Sequence, residues 1–195
     1  MMGADRIREP DVPQLADIHC RCLPDSMVSR IGPAYARSFY RYLAGSPDEL
    51  AFLHREGGTV LCACIVSLAP ATLERRLLRH TPLVLRAPLA VRRLPIRSMA
   101  AKLLGKGGGG GMPQPSGPEL LLIFTVAALR STGIGAATLA RCEEELRRRG
   151  HARYFVKTLD DAGNRAIQFY RRHGFSQLGT RVVHGKRLGL WEKAL

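Results

Sequence analysis

The spacing of apolar residues in the first third of the chain predicts two helical regions followed by two strands. Apolar residues recur at intervals of three and four in 11–23 and again in 26–45, as on one face of a helix. Two shorter, largely apolar runs follow, 49–56 and 59–68, with a Gly-Gly pair between them. Because Gly-Gly tolerates the positive φ of a tight turn, these runs predict an antiparallel hairpin.

A strand, a glycine-rich turn and a helix are predicted between Pro118 and Gly150. Residues 120–126 form a short apolar run with β-branched members, which is typical of a buried strand. The helix that follows has apolar residues at helical spacing, namely Leu139, Cys142 and Leu146. Three of its glutamates each precede an arginine by four residues, which is the favourable order along a helix.

The last part of the chain predicts one more strand, one more helix and a closing hairpin. The strand is 154–159, and the hairpin pairs 175–183 with 186–192. This order lacks a strict alternation of strand and helix. It therefore predicts an α/β (α+β) fold in which helices flank a mixed, mostly antiparallel twisted sheet. We expect a single domain spanning 1–195.

Residues 71–118 interrupt this pattern as an insertion before the strand at 120–126. Its part 71–106 carries nine basic residues, one acidic residue and many interleaved leucines. The part 105–118 is rich in Gly and Pro, which predicts a flexible linker. Two interpretations of the basic part stay open. It is either an amphipathic arm for a membrane surface or a phosphorylated acceptor, or an elaborated connection that packs its leucines on the domain.

The composition limits the class of protein. A hydrophobic content of 46% suffices for a core, and the N-terminus lacks the apolar segment of a signal peptide. No apolar run reaches the roughly 18 residues of a membrane span, so we expect a cytoplasmic protein. Five cysteines, an odd number, argue against a disulfide framework, and we expect buried thiols and no metal site.

The net charge of +14 raises the possibility of an anionic partner. The basic residues are 25 Arg and only 5 Lys, an imbalance that coding bias in a GC-rich genome also produces. A protein that binds an anionic cofactor needs positive potential as well. The charge alone therefore does not select nucleic acid, a membrane surface or an acidic substrate.

The turn at 130–135 reads Arg-Ser-Thr-Gly-Ile-Gly. Glycines let backbone N–H groups approach a ligand, and a helix N-terminus carries about half a positive charge, so the turn predicts an anion cradle. The chain has no Walker loop, and the third glycine of a Rossmann turn is replaced by Thr138. The turn fits the pattern Arg-x-x-Gly-x-Gly at every position.

The Arg-x-x-Gly-x-Gly pattern resembles the acetyl-CoA pyrophosphate loop of the GNAT family of N-acetyltransferases. Residues 164–175, Asn-Arg-Ala-Ile-Gln-Phe-Tyr-Arg-Arg-His-Gly-Phe, resemble the next segment of the same family. The resemblance covers 119–195 well and the N-terminal part more loosely. Within 26–45, an Ile-Gly pair followed by Phe-Tyr is similar to a bacterial subgroup whose acceptors are undefined.

The resemblance implies a GNAT-like domain that uses acetyl-CoA as co-substrate and transfers its acetyl group to a primary amine by direct attack on the thioester. It implies that cofactor-binding residues lie at the end of the strand, in the loop, at the start of the next helix and in the segment 164–170: Phe124, Thr125, Val126, Arg130, Ser131, Thr132, Gly133, Ile134, Gly135, Ala136, Asn164 and Tyr170. Many relatives have a proline after the strand, where this chain has Ala127-Ala128. The resemblance therefore locates the oxyanion donor only to within about one residue.

Two residues are implied to be catalytic. Tyr170 matches the tyrosine that serves as general acid toward the CoA sulfur, and Glu119 opens the strand where some relatives place the general base. His184, His54 and solvent are the alternative bases. Asn164 would look the same in sequence if it only capped a helix.

The expected partner is a small-molecule amine, anionic or similar to a sugar nucleotide, although polyamines, antibiotics and protein amines also stay open. No nucleic-acid partner and no transmembrane segment are expected, and peripheral membrane contact is an option for the basic arm. The alternative function is a non-catalytic GNAT-like module that binds nucleic acid or an anionic membrane surface. The presence of Tyr170 and the loop glycines favours the enzyme.

Overall fold

The computed structural model describes residues 5–81, 115–183 and 186–195. Its six strands form one mixed sheet in the order β1-β2-β3-β4-β6-β5. The strands are β1 Glu49–Glu56, β2 Thr59–Ser67, β3 Glu119–Thr125, β4 Arg153–Leu159, β5 Ser176–Val183 and β6 Lys186–Ala194. The helices are α1 Asp11–Cys22, α2 Met27–Ile31, α3 Pro33–Gly45, α4 Pro70–His80, α5 Ile134–Arg148 and α6 Arg165–Arg172.

The predicted strands and helices are confirmed, with one change of boundary near the N-terminus. The region 26–45 contains two helices, because the chain turns at Gly32, whose φ of 124° lies in the left-handed region. Pro33 then opens α3, at a position where its missing N–H costs nothing. Gly57 and Gly58 have φ values of 55° and 82°, as the predicted tight hairpin requires.

The insertion is only partly within the described residues. Its first part forms α4, a basic helix whose one fully buried residue is Leu77. The rest of the predicted arm and most of the Gly-rich linker fall in 82–114, outside the described residues. None of the described helices is long and apolar enough to cross a membrane.

Two hydrophobic cores cover the two faces of the sheet. Helices α1 and α3 pack on one face around residues such as Leu15, Phe39, Tyr40, Ile65 and Phe124. Helices α5 and α6 pack on the other face, with Leu139, Leu146, Tyr154, Tyr170 and Trp191. The central strand β3 therefore contributes side chains to both cores.

A β-bulge in β3 decides which of its side chains face which helices. Ile65 of β2 pairs with Leu122, but the next residue of β2 pairs with Leu120, so Leu121 is the extra residue. Leu120 consequently lies in the α5/α6 core, whereas Leu122 lies in the α1/α3 core. Beyond the bulge, Phe124 faces α1 and α3 and its neighbour Thr125 faces α5.

Strands β3 and β4 diverge after a short parallel start. They pair only at Glu119 with Phe155 and at Leu120 with Val156. Beyond these pairs β3 stays on β2 as far as Thr125, and β4 stays on β6 as far as Leu159. The two neighbouring strands thus separate toward their carboxyl ends, which opens a gap in the sheet.

Candidate acyl-transfer site

The β3 edge of this gap exposes backbone hydrogen-bonding groups. The N–H of Val126 donates to the carbonyl of Leu61 at 2.9 Å, so Val126 faces β2. In an antiparallel pair the N–H and C=O groups of successive residues alternate in direction. Phe124 therefore also faces β2, whereas Ile123 and Thr125 direct their backbone groups toward the gap.

This alternation corrects the predicted set of backbone donors. Of Phe124, Thr125 and Val126, only Thr125 lies on the open edge, because the other two complete the ladder with β2. Ile123, which the sequence analysis missed, lies on the open edge with Thr125. Because residues alternate in direction along a strand, Ile123 could have been predicted to lie on the open edge once the pairing of one residue of β3 was known.

The loop after β3 has the conformation of an anion cradle. Ser131 and Gly133 both have positive φ, 66° and 90°. The loop is held by hydrogen bonds from the Thr132 hydroxyl to the carbonyl of Leu129 at 2.8 Å and from Arg130 Nε to the carbonyl of Thr125 at 3.3 Å. It thereby turns the chain directly from the end of β3 into α5.

The start of α5 presents unpaired N–H groups beside the gap. The cap residue Gly133 has no side chain to bond them, and its carbonyl accepts the N–H of Ala137 at 2.9 Å. The N–H groups of Ile134, Gly135 and Ala136 precede that bond and have no partner within the helix. Together with the partial positive charge of the helix terminus, they suit a phosphate group.

Gly135 is where α5 packs closely on β3 and α6. A Cβ added there would lie 3.3 Å from Thr125 Oγ1 and 3.8 Å from the ring of Phe169. The first of these distances is tighter than an ordinary contact, so a larger residue requires the Thr125 side chain or the helix start to shift by a few tenths of an ångström or more. Glycine at this position brings the N–H groups of α5 next to the open edge of β3.

Tyr170 lies on α6, in the core that faces this part of β3. It is 4% exposed, and its ring packs against Phe175 with centroids 5.2 Å apart. Burial, and to a smaller degree the neighbouring Cys64, raises the pKa of the Tyr170 hydroxyl above its ordinary value. Ile123 packs against the same core as Tyr170, so Tyr170 lies on the α5/α6 face of β3.

Among the described residues, none forms a hydrogen bond with the Tyr170 hydroxyl. Because its pKa is raised, the hydroxyl keeps its proton at neutral pH, and this proton is not donated to any described protein acceptor. A group of this kind is suited to donate a proton to a leaving group.

Asn164 is used by the protein itself. Its Oδ1 accepts the N–H of Ala166 at 3.1 Å, which caps α6, and its Nδ2 donates to Thr158 Oγ1 at 2.9 Å and to the carbonyl of Leu159 at 2.6 Å. Both amide hydrogens are thus occupied. The contacts give Asn164 the role of a helix cap that ties α6 to β4, and a role in cofactor binding stays a prediction.

We expect Asn164→Ala to lower the free energy of unfolding by about 1–2 kcal/mol, since it removes an N-cap and a tie to β4. Asn164→Asp keeps the cap oxygen and should recover about half of this loss. Urea denaturation followed by circular dichroism measures both values. A loss below a few tenths of a kcal/mol for the alanine variant would contradict the capping role.

The structure does not bring the predicted bases to the end of β3. Glu119 bonds Lys157 Nζ at 3.0 Å and lies six residues before Thr125, about 20 Å along a strand. His54 is part of β1, two strands from β3, where it contacts Glu56 at 3.4 Å. His184 lies outside the described residues. The base role predicted for Glu119 is therefore not supported.

Two cysteines touch the end of β3, which the sequence analysis did not anticipate. The Thr125 hydroxyl donates to Cys62 Sγ at 3.3 Å, and Cys22 Sγ lies 3.7 Å from the Thr125 carbonyl. All five cysteines are free thiols. No group of three or more metal-ligating side chains occurs within the described ranges.

The comparison with family models matches this region. Residues 92–175 match the model described as the acetyltransferase (GNAT) family, a range that contains β3, the loop, α5 and α6. This part of the chain is therefore similar to the GNAT family. A curated relative, acetyltransferase Atu2258 from Agrobacterium fabrum, is 36% identical over 59 residues. That match covers 30% of this chain and only 41% of the relative's length.

Solved structures of acetyltransferases share the fold. An acetyltransferase from Thermus thermophilus matches with a TM-score of 0.60 at 15% identity, over 100% of this chain and 98% of its own. A ribosomal-protein-alanine N-acetyltransferase from Brucella melitensis matches with a TM-score of 0.57 at 17% identity, over the full length of both chains. At such identities the likeness concerns the fold. The predicted fold class is confirmed, and the comparisons bear out the predicted resemblance to the GNAT family.

Proposed function

We propose that this GNAT protein transfers an acetyl group from acetyl-CoA to a primary amine, by direct attack of the amine on the thioester. The observation that carries the proposal is the gap between β3 and β4, which adjoins the uncapped start of α5. An extended chain with amide groups fits the open edge of β3, and a diphosphate fits the unpaired N–H groups. These are the two parts of a CoA molecule that a protein backbone can recognise.

When bound, acetyl-CoA would supply an activated acyl group. The N–H groups of the loop and of Ile134 to Ala136 would hold the pyrophosphate, and the backbone of Ile123 would bond the pantetheine arm. The N–H of Thr125 is the candidate oxyanion donor, because it is the last group on the open edge. Tyr170 would protonate the departing sulfur.

The general base in this proposal is solvent. None of the described carboxylates or histidines proposed from the sequence lies at the end of β3. The acceptor ammonium loses one proton to solvent before attack, and the attacking nitrogen loses a second to solvent as the tetrahedral intermediate collapses, while Tyr170 protonates the departing sulfur and is reprotonated from solvent. We accordingly expect Glu119→Gln to change kcat/KM by less than threefold in a thiol-release assay. A drop of a hundredfold, with Lys157→Met unaffected as a control for the ion pair, would restore Glu119 as the base.

For the acceptor, the charge supports a preference among amines but does not by itself select one class of partner. A net charge of +14 favours an anionic small molecule that carries a primary amine, such as an amino-sugar nucleotide. A panel of amino-sugar nucleotides, polyamines, aminoglycosides and peptides with free amines tests this with acetyl-CoA as donor. Release of the CoA thiol with the anionic amines and not with the cationic ones supports the proposal, and the opposite preference contradicts it.

A further inference from the structure

A chain of hydrogen-bonded polar side chains, two of them buried and two partly exposed, connects α1, α2 and α3. His19 Nδ1 lies 2.8 Å from the Tyr40 hydroxyl, and His19 Nε2 lies 2.8 Å from Ser26 Oγ. Ser26 Oγ contacts Ser29 Oγ at 2.9 Å, and Ser29 Oγ bonds the carbonyl of Leu23 at 2.7 Å. His19 and Tyr40 are 2% and 0% exposed. Five groups thus form one continuous path through the N-terminal helices.

The end of the path determines the direction of every hydrogen bond in it. A carbonyl only accepts, so Ser29 donates its single hydroxyl proton to Leu23. Ser29 Oγ must then accept from Ser26, which leaves Ser26 to accept from His19 Nε2–H. His19 Nδ1 is consequently unprotonated and accepts the proton of Tyr40. In the reverse direction the buried Tyr40 hydroxyl would have no described acceptor, which is costly.

Because of this direction, the path from Tyr40 to the Leu23 carbonyl holds the three helices together and does not conduct protons; we call it the brace. It ends at a backbone carbonyl that takes up no proton, and each donor is already committed. Burial lowers the pKa of His19 to about 4. The titratable side chains that neighbour the path are Cys20, Cys22 and Tyr40, and burial raises the pKa of Tyr40, so its hydroxyl is uncharged. The imidazole is therefore neutral.

The brace lies against the end of β3. The ring of His19 packs edge-on against Phe124, with centroids 6.1 Å apart. Cys22, one turn further along α1, places its sulfur 3.7 Å from the carbonyl of Thr125. Ser26 follows in the turn between α1 and α2 and is partly exposed. The turn is thus fixed relative to the residue that we propose as the oxyanion donor, on the face opposite α5.

We propose that His19 is a positioning residue for the acceptor: as a neutral imidazole protonated on Nε2, it fixes the α1–α2 turn and Ser26 beside the end of β3, on the face that the proposed cofactor site at the start of α5 leaves free for the amine. This inference rests on the proposed function for its kinetic consequence. Its structural statement, the tautomer and the contacts of His19, does not depend on that function.

The first test is ¹⁵N NMR of the histidine side chains in the wild-type protein, with His19 assigned by comparison with His19→Gln. We expect the pattern of an Nε2–H tautomer that stays unchanged from pH 8 to pH 5.5. A proton on Nδ1, or protonation of the ring within that range, would overturn the inference.

The second test compares His19→Gln with His19→Leu in kinetics, using the amine acetylated fastest in the panel above. Gln keeps a donor for Ser26 and Leu does not. We expect His19→Leu to raise KM for the amine about tenfold or more and leave KM for acetyl-CoA within twofold, while His19→Gln recovers most of the loss. Equal effects of both variants, or equal changes in both KM values, would contradict a positioning role.

Two outcomes separate the inference from the proposed function. If no amine in the panel is acetylated, the proposed function fails, and the NMR result alone decides the state of His19. If His19→Leu does not fold, Tyr40→Phe takes its place. That variant removes only the donor to Nδ1, and we expect a second His19 tautomer to appear and KM for the amine to rise.

Discussion

Gly135→Val is expected to weaken acetyl-CoA binding about 100-fold or more. The Cβ of valine lies close to Thr125 Oγ1 and the Phe169 ring, and its two methyl groups need further room. We expect this crowding to move the start of α5 away from β3. The N–H groups at the helix start would then lose their alignment with the bound pyrophosphate. Each hydrogen bond to a charged group contributes about 1.5–3 kcal/mol, and the loss of one or two gives a change of this size.

A matched control is available at another glycine. Gly45 ends α3, and a Cβ added there meets nothing within 4 Å. Isothermal titration calorimetry with acetyl-CoA should give the wild-type Kd for Gly45→Val and a greatly raised Kd for Gly135→Val. Circular dichroism at the same concentration confirms that both variants are folded. Wild-type affinity in folded Gly135→Val would show that the cofactor is held elsewhere.

Tyr170→Phe is expected to lower kcat about 100-fold while leaving the Kd for acetyl-CoA within twofold. The change removes a proton donor and keeps the ring, and positioned proton donors typically contribute about 10²–10⁴ in rate. The hydroxyl has no hydrogen-bond partner among the described residues, so its removal should cost little stability. Steady-state thiol release and thermal unfolding measure the two effects.

Tyr154→Phe is the control for Tyr170→Phe, with the opposite expected pattern. The Tyr154 hydroxyl is buried in the same core and donates to Glu143 Oε1 at 2.6 Å, and it has no part in the proposed chemistry. Its loss should lower the free energy of unfolding by about 1–3 kcal/mol and leave kcat nearly unchanged. An unchanged kcat in Tyr170→Phe would remove Tyr170 from the mechanism.

The pKa of Tyr170 adds a pH dependence to this prediction. Because burial raises that pKa above the ordinary tyrosine value, the hydroxyl remains protonated through about pH 9. The wild-type rate should therefore not fall between pH 7 and pH 9 through loss of the general acid. It should rise over that range as more of the amine loses its proton.

Much of the fold was predictable from residues whose effect is local. The Gly-Gly pair at 57–58 fixes a hairpin by its own backbone preference, and apolar spacing marks α1 and α5 without reference to any partner. Gly133 and Gly135 likewise predict the loop at the start of α5. The region 26–45 is predicted as one helical region, but Gly32 divides it into α2 and α3. Apolar spacing does not show this break, because the periodicity continues across a turn between two helices that pack on the same core.

The details of the site depend on pairing, which the order of residues does not contain. The bulge at Leu121 inverts the faces of β3, and it is visible only in the register with β2. The same register decides that Ile123 and Thr125, and not Val126, open toward the gap. His19 looked like any other residue of an amphipathic helix, because Tyr40, 21 positions away, is what gives it a role.

Glu119 shows why a motif position is a weak guide to a base. The sequence places Glu119 at the start of β3. Because a strand is extended, six residues separate its side chain from Thr125 at the other end by about 20 Å. Lys157 of the neighbouring strand accounts for its charge. The ion pair between Glu119 and Lys157 lies at the start of β3, where β3 and β4 are still hydrogen-bonded, and not at the gap between their carboxyl ends.

A titration of ¹⁵N-labelled protein with acetyl-CoA, followed by amide NMR, tests the central claim most directly. We predict that the largest shifts occur at the amides of Ile123, Thr125, Ile134, Gly135 and Ala136, which line the gap and begin α5. The amide of Val126 should shift much less, because it is bonded to β2. Saturable binding that shifts other amides and leaves these five unchanged, or no binding by folded protein, would contradict the account.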